Sequence, residues 1–531
     1  MTIWDGRSGK AVGRASEPAV PVLIAGGGPA GLAAAAELSL HGVSCVVIEP
    51  RTEVSHRRPR AKTTSIRTME HLRRWGIADK LRAAAPLSVA WSQRVTFCQT
   101  LHGRRITDFD GAFGLTTRRD DRFAECGQQV PQPVVEEVLR SHLATKQDVH
   151  LRLGHTVTEL AQDQDCVTVT IRDARGGDYQ LTARYVLGCD GAGGVVRDQI
   201  GAQYAGRSDP RPNFNLVFRA PGLVTDLGPA VQYWVVGAPT TGLIGRLDLA
   251  GTWWAIMPGV EPDYGVAHAS ELITGLVGAS IEHEVVASDP WTARMLVADS
   301  FGSGRVFLVG ESAHVNPPWG GHGFNTSVGD AVNIAWKIAA VEHGWAAPGL
   351  LASYEPERRG VVEQTVAAAE ANQRYLTGDL PVDAAAIQRA KRAEFYSLGL
   401  VLGYSYAGSP VIQPSAAPTA SDSTVFVPAA EPGSRLPHAW LRDGSSLYDQ
   451  LSTGFTLLGP RRETTELARQ AQRRGIPLAQ REPPPHYPWR DEFLLVRPDQ
   501  HIAWRASDPS DIDLDVVAGP LMTGTARSAE A

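Results

Sequence analysis

The segment Gly310 to Ala331, GESAHVNPPWGGHGFNTSVGDA, sets a carboxylate and a histidine ahead of two prolines, a glycine-rich run and a helical pattern. Pro317 and Pro318 stiffen its entry, and Gly320, Gly321 and Gly323 leave its middle almost without side chains. A helix starting near Phe324 to Ser327 would present unpaired N–H groups and about half a positive charge, which suits an anion. Glu311, His314, His322 and Asn325 are the polar groups on offer here.

A second constellation lies near the start of the chain, in PVLIAGGGPAGLAAAAELSLHGVSCVVIEP. It reads as a short apolar strand, glycines at 26, 28 and 31, an Ala/Leu-rich helix ending at Gly42, and a second strand closing on Glu49. Gly26 allows the tight turn, Gly28 lets backbone approach a pyrophosphate, and Gly31 lets the helix pack on the sheet. Glu49 has the reach to accept hydrogen bonds from ribose hydroxyls, so the unit predicts dinucleotide binding. Pro29 and Ala30 in the turn, and Pro50 and Arg51 after the acid, join the candidate contacts. NAD and FAD stay open on this motif alone. Arg57, Arg58 and Arg60 follow in a loop, and guanidinium groups offer planar, paired donors to phosphate. Further on, a buried strand ends at Asp190 and Gly191, a usual way to meet a ligand at the carboxyl edge of a sheet, although Asp with Gly is also common in turns.

The elements that must position these residues make an α/β chain of several domains. The 531 residues, 43% of them hydrophobic, suffice for two to four domains with substantial cores. A net charge of −6 over that length gives no basic face for nucleic acid or anionic lipid. Residues 1–18 read as a loose polar tail without a secretory core, no window reads as a membrane span, and a cytoplasmic location is expected. The five cysteines include no CxxC and no metal-ligand spacing. Alternating apolar and polar residues over about 205–290 predict a sheet with one buried face. A Pro/Ser/Ala-rich linker over 399–437 precedes a strand (FTLLG), a helix (RETTELARQAQRRG) and a hairpin (EFLLVRPDQHIAWRA) with Asp499 and Gln500 in its turn.

Taken in order, Gly26 to Gly31 with Glu49, the pair Asp190 and Gly191, and GRVFLVGESAHVNPPWGGHGFNTSVGDAVNIAWKIA resemble the FAD fingerprints of the single-component flavoprotein aromatic hydroxylases, the para-hydroxybenzoate hydroxylase family. The resemblance spans roughly residues 20–395. It implies a Rossmann-like FAD-binding fold over 19–204 and 291–398, an inserted β-sheet substrate domain over 205–290, and a thioredoxin-like domain over 438–531. The last has no cysteine after Cys189 to give it redox chemistry. It further implies FAD, with NADPH or NADH as reductant and O2 as co-substrate. The reaction implied is hydroxylation of a phenolic or hydroxylated heteroaromatic ring through a C4a-hydroperoxyflavin, in secondary metabolism or aromatic degradation, by a monomer or homodimer.

Carried over residue by residue, the resemblance puts the FAD ribityl chain against Glu311, where the family usually has Asp. Gly310, Pro318, Gly321, Gly323, Phe324 and Asn325 fall around the flavin, Gln132 on FAD, and Arg60 near the flavin and pyrophosphate. Arg60, Pro317 and His322 are the catalytic candidates, and Phe214, Tyr233, Arg246, Trp254, Pro317, Trp319 and Gly320 the substrate candidates. His314 is expected to make a structural hydrogen bond. No second nucleotide fingerprint appears, unlike in two-dinucleotide-fold oxygenases, and W-W-A-I-M-P does not fit the W-x-W-x-I-P mark of flavin halogenases. A Baeyer–Villiger or epoxidising oxygenase and a non-catalytic flavin sensor are the rival classes.

Overall fold

A computed structural model describes residues 19–373, 382–415 and 422–519. The tail expected over 1–18, part of the 399–437 linker and the end of the C-terminal region from 520 lie outside the described residues.

The strand Val20–Ala25 lies parallel between Cys45–Glu49 and Asp178–Gly188, with Val149–Leu153 beyond the first and Val306–Leu308 beyond the second. Val22, Leu23, Ile24, Val46, Val47, Val186 and Leu187 are buried, so both sheet faces are covered, as the near-continuous apolar strands require. Pro29 opens the helix Pro29–Leu40 at its first position, where its missing N–H costs nothing. That helix packs against Gly323–Glu342, which follows the proline–glycine loop. Because the strands are parallel, their carboxyl ends share one edge, and Gly26, Glu49, Asp190 and Glu311 all emerge there.

A second sheet runs His314–Val315, Glu284–Ala298, Tyr204–Arg219, Thr252–Pro258, Gly242–Arg246, Gln232–Val235, Arg94–Cys98 and Arg105–Asp110. It therefore reaches beyond 205–290, recruiting a hairpin from 94–110 through the parallel pair Gln232–Val235 and Arg94–Cys98. One face packs on the helices Pro262–Ala267 and Ala269–Val277, and the other on Trp319 and the helix Ala384–Phe395.

The C-terminal strand, helix and hairpin form as read, with Phe455–Leu458 parallel to Leu478–Arg481 and antiparallel to Phe493–Val496, and Ile502–Ala506 at the edge. The hairpin turn is not on the surface, however. Asp499, Gln500 and His501 are buried against the FAD-binding region, with Gln500 in the left-handed conformation. Arg497 donates to both oxygens of Glu357 (2.7 and 2.8 Å) and to Asp499, and Lys337 donates to Glu357 at 2.8 Å. Nearby, Glu70 is clasped by Arg435 and Arg67.

Burial alone would raise the carboxyls of Glu357 and Glu37. Arg497 and Lys337 hold the first down at about 2, and Arg74 and His41 the second at about 2. With folded values below the ordinary 4.5, the unfolded chain takes up protons first on acidification. Their contribution is complete above pH 4.5 and disappears as pH falls toward 2. Thermal melts between pH 7 and 2 are expected to show melting temperature dropping steeply below 4.5 in wild type, and less steeply in Glu37→Gln. Equal slopes would contradict this assignment.

Candidate functional site

A cavity of about 490 Å³ lies along the shared strand edge, within the range of cofactor sites. Its walls include Gly26, Gly28, Pro29, Ala30, Glu49, Pro50, Arg51, Arg60, Gln132, Asp190, Gly191, Glu311 and Phe324. Gly26 has φ +104°, and a Cβ there would sit 2.3 Å from the Cys189 carbonyl oxygen; one on Gly31 would sit 1.9 Å from that of Gly26. These two glycines bring the turn, the helix and the sheet together. Gly28, Gly191 and Gly193 are different, since a Cβ on any of them meets no protein atom within 4 Å. Gly28 and Gly193 could carry a side chain as far as the protein is concerned, so their bareness serves the cavity, whereas Gly191, at φ +81°, is held to glycine by its left-handed backbone as well.

Glu49 lines the wall with Oε2 accepting from the Gly27 N–H (2.7 Å) and Oε1 from the Arg51 N–H and Nε (2.9 and 2.6 Å). A carboxylate has about four acceptor sites, so it can still receive hydroxyls. Arg51 in turn reaches Glu136 at 3.2 Å, and Glu136 accepts from Gln132 Nε2 at 2.9 Å. Gln132 begins the helix Gln132–Leu143 after Pro131, with its backbone N–H given to the Ala61 carbonyl. The loop carrying Arg60 is thereby fixed to the cavity wall.

Asp190 accepts from Ser312 Oγ (2.9 Å) and the Val196 N–H (3.0 Å), and burial pushes its carboxyl up. Glu311 projects into solvent at the cavity mouth, with Oε2 4.0 Å from Arg60. Its carbonyl receives Tyr204 Oη, and Tyr204 lies under Arg197, 3.9 Å from its guanidinium. Arg60 has φ +40°, a strained conformation for a non-glycine residue. Gly310 is held by Asp330, which also accepts from His314 Nε2 at 2.7 Å and Arg358 Nε at 2.7 Å. His314 thus makes the expected structural bond.

The proline–glycine loop turns at Gly320 (φ +93°) and Gly321 (φ +71°), closed by the Gly321 N–H donating to Pro318. Pro317 is buried and Pro318 exposed. Asn325 differs from expectation. Its amide donates to Gly321 and Thr63 and accepts from the Ser65 N–H, so it staples two loops together and has little left for a ligand. Gly323 faces Asn316. His322 is buried beside Gly320, its Nε2 lacks a protein partner, and burial lowers its pKa to about 4, leaving a neutral imidazole at physiological pH.

The second sheet separates the substrate candidates by face. Trp254, Trp319 and Gly320 lie on the flavin-loop side, joined by Trp234, another aromatic of the alternating segment, and by Trp291 and Phe395, which the sequence did not single out. Phe214, Tyr233 and Arg246 do not join them. Phe214 packs on Gly265, Tyr233 bonds Gly228, and Arg246 lies over Trp253 and donates to Leu223. The reason is the two-residue period: Trp253 and Trp254 are neighbours in sequence and so face opposite ways. Arg58 likewise lies off the nucleotide cavity, 3.2 Å from Asp289. On the flavin-loop side the indole N–H groups of Trp234, Trp254 and Trp319 are buried without partners. Buried polar atoms are nearly always satisfied, so each of these unpaired donors calls for a partner, as does that of Trp253 on the opposite face.

This groove, with its glycine turn, ribose-side acid, strand-end Asp190 and bare glycines, defines an FAD-binding flavoprotein, and the donors present fit that cofactor. Residues 19–369 match the FAD binding domain family, and 429–520 match the family described as aromatic-ring hydroxylase, C-terminal. The chain is 32% identical to 2,4-dichlorophenol 6-monooxygenase of Delftia acidovorans, over 69% of this chain and 64% of that one. It is 30% identical to aklavinone 12-hydroxylase DnrF of Streptomyces peucetius, over 81% and 88%. The solved structure of the rebeccamycin biosynthetic enzyme RebC with reduced flavin superposes with a TM-score of 0.83 at 30% identity, covering 94% of this chain and 99% of that one. The chain belongs to the FAD-dependent aromatic-ring hydroxylases. It is a flavoprotein monooxygenase.

The longer acid at 311 yields a prediction. Because it reaches in from an exposed position, Glu311→Asp is expected to keep FAD affinity within about threefold. Glu311→Ala should lose about tenfold, near 1.4 kcal/mol for one charge-assisted hydrogen bond. Flavin fluorescence titration of the apoprotein measures both, and equal affinity for all three would remove Glu311 from the site.

Proposed function

We propose that the chain hydroxylates a phenolic or hydroxylated heteroaromatic ring, of polyketide-like size, using NADPH or NADH and O2. The observation that carries this reading is the cluster of unpaired donors and aromatic faces, Trp234, Trp254, Trp319 and His322, beside the glycine loop. Bound FAD supplies the chemistry that reduces O2 and delivers one oxygen atom to the ring.

The protein's residues bind, orient and exclude water. Glu49 takes ribose hydroxyls, while Gly28 and the N-terminus of Pro29–Leu40 take the pyrophosphate. Asp190, Glu311 and Gln132 hold the remaining chain, and Arg60 faces its phosphates. Pro317 and Trp319 wall the ring's cavity, and Gly320 and Gly321 keep side chains out of its floor. The neutral imidazole of His322 can accept or donate a single hydrogen bond at a ring hydroxyl, depending on its tautomer. The C-terminal unit, read as thioredoxin-like without redox cysteines, buttresses the FAD-binding region through Arg497 and Glu357.

Substrate-stimulated NAD(P)H consumption with a panel of naphthols and hydroxyanthraquinones tests the proposal. A product heavier by one oxygen and bearing a new ring hydroxyl supports it. A ring-opened or lactone product, or no substrate effect, rejects it.

A further inference from the structure

Resting on this hydroxylase reading, we propose that Lys62 is the cation that holds the ionised ring oxygen of the substrate, a phenolate, beside Trp254. Lys62 belongs to the short run joining strained Arg60 to Thr63, and the Thr63 carbonyl is bound by Asn325 of the flavin loop. It therefore stands where the loop that approaches the flavin meets the substrate sheet. Its ammonium lies 4.3 Å from the centre of the Trp254 ring, on the wall of a small cavity of about 30 Å³ that Asn215, Ile256 and Asp289 also line. That space suits about one small polar group as it stands.

The charge inventory around it calls for an anion. Lys62 donates to the Arg60 carbonyl at 2.9 Å, which leaves two of its three donors, and no carboxylate lies within ion-pairing distance among the described residues. Asp289, the carboxylate on the same wall, is paired with Arg58. Arg57, Arg58 and Arg60 line the same space and add to the positive field. The adjacent Trp254 indole offers another donor without a partner. A ligand oxygen here meets an ammonium and the Trp254 indole, so an ionised oxygen fits better than a neutral hydroxyl, which would bring a donor of its own.

The half-buried ammonium is unusual in another respect, since burial lowers its pKa to about 8. It is charged at neutral pH and becomes neutral as pH rises past 8. The charged groups that line the same space are Arg57, Arg58, Arg60 and Asp289. The phenol proton leaves to solvent, Lys62 stays protonated, and the ring becomes more electron-rich without a dedicated base.

The test uses FAD-loaded wild type, Lys62→Met and Lys62→Arg, with 1-naphthol, 2-naphthol, 1,8-dihydroxyanthraquinone and their O-methyl ethers as probes. Flavin difference spectra and phenolate absorbance are followed from pH 6 to 10. Wild type is expected to lower the bound phenol's pKa relative to water and to lose phenolate affinity above pH 8. Lys62→Met should bind phenolate at least about tenfold more weakly, lack that alkaline loss, and bind the ethers and FAD unchanged. Lys62→Arg should recover much of the affinity. Equal phenolate binding and equal pH profiles in wild type and Lys62→Met overturn the role of Lys62 while leaving the hydroxylase reading intact. Failure of every hydroxylated ring to bind wild type overturns both.

Discussion

Gly28→Val is expected to give a folded but colourless protein. Gly28 has ordinary extended geometry (φ −78°, ψ −175°) that any residue can adopt, and a Cβ there meets no protein atom within 4 Å. As the N-cap of Pro29–Leu40, a valine costs about 1 kcal/mol or less in helix stability. Its methyl groups would instead occupy the cavity where backbone must approach the pyrophosphate. FAD affinity should therefore fall at least about 100-fold, roughly 2.7 kcal/mol, with little change in the melting temperature of the apoprotein. Gly31→Val is the contrasting variant, because its Cβ would collide with the Gly26 carbonyl and damage the fold as well. The flavin-to-protein absorbance ratio, read beside the apoprotein melt, separates the two. A yellow Gly28→Val protein would show that the glycine is not there for the cofactor.

Arg497→Met is expected to cause the largest loss of stability. Arg497 is buried and donates to Glu357 and Asp499, and Glu357 is shared with Lys337 and Asn333. Removing one cation leaves buried carboxylates short of compensation, which costs roughly 3–5 kcal/mol. Because the network joins the hairpin turn to the helices Gly323–Glu342 and Tyr354–Gln373, the C-terminal unit should loosen from the FAD-binding region. Thermal scans and limited proteolysis of the holoenzyme report this, with cleavage expected first in the C-terminal unit. An unchanged melting temperature would mean that the network contributes specificity rather than stability.

The cofactor half of the site was legible because its signals are local. Each glycine task in Gly26 to Gly31 follows from a turn and a helix a few residues away, and Glu49 closes the same unit. Asp190 and Glu311 could be placed because both follow apolar strands that must end at the same edge. The substrate half was not legible to that depth. Alternation shows that Trp253 and Trp254 face opposite ways, but the choice of inward face depends on what packs there, and Trp319 and Phe395 come from distant segments. Phe214, Tyr233 and Arg246 were misplaced for that reason. The hairpin at Asp499 and Gln500 was readable as a turn, but nothing local marks its polar residues as buried. Their burial depends on Arg67 and Glu357, more than a hundred residues away. Lys62 gave no signal beyond its place in a basic loop, since only the folded chain sets it over an indole.

Oxygen transfer to an aromatic ring is the central claim, and isotope labelling tests it most directly. The FAD-loaded enzyme is supplied with NADPH, or NADH, and the best-binding hydroxylated ring under 18O2, and the product is analysed by mass spectrometry. A new ring hydroxyl carrying one 18O atom is expected, formed in proportion to the NAD(P)H consumed. Consumption of NAD(P)H with the label found only in hydrogen peroxide, or a new oxygen derived from water, would contradict it.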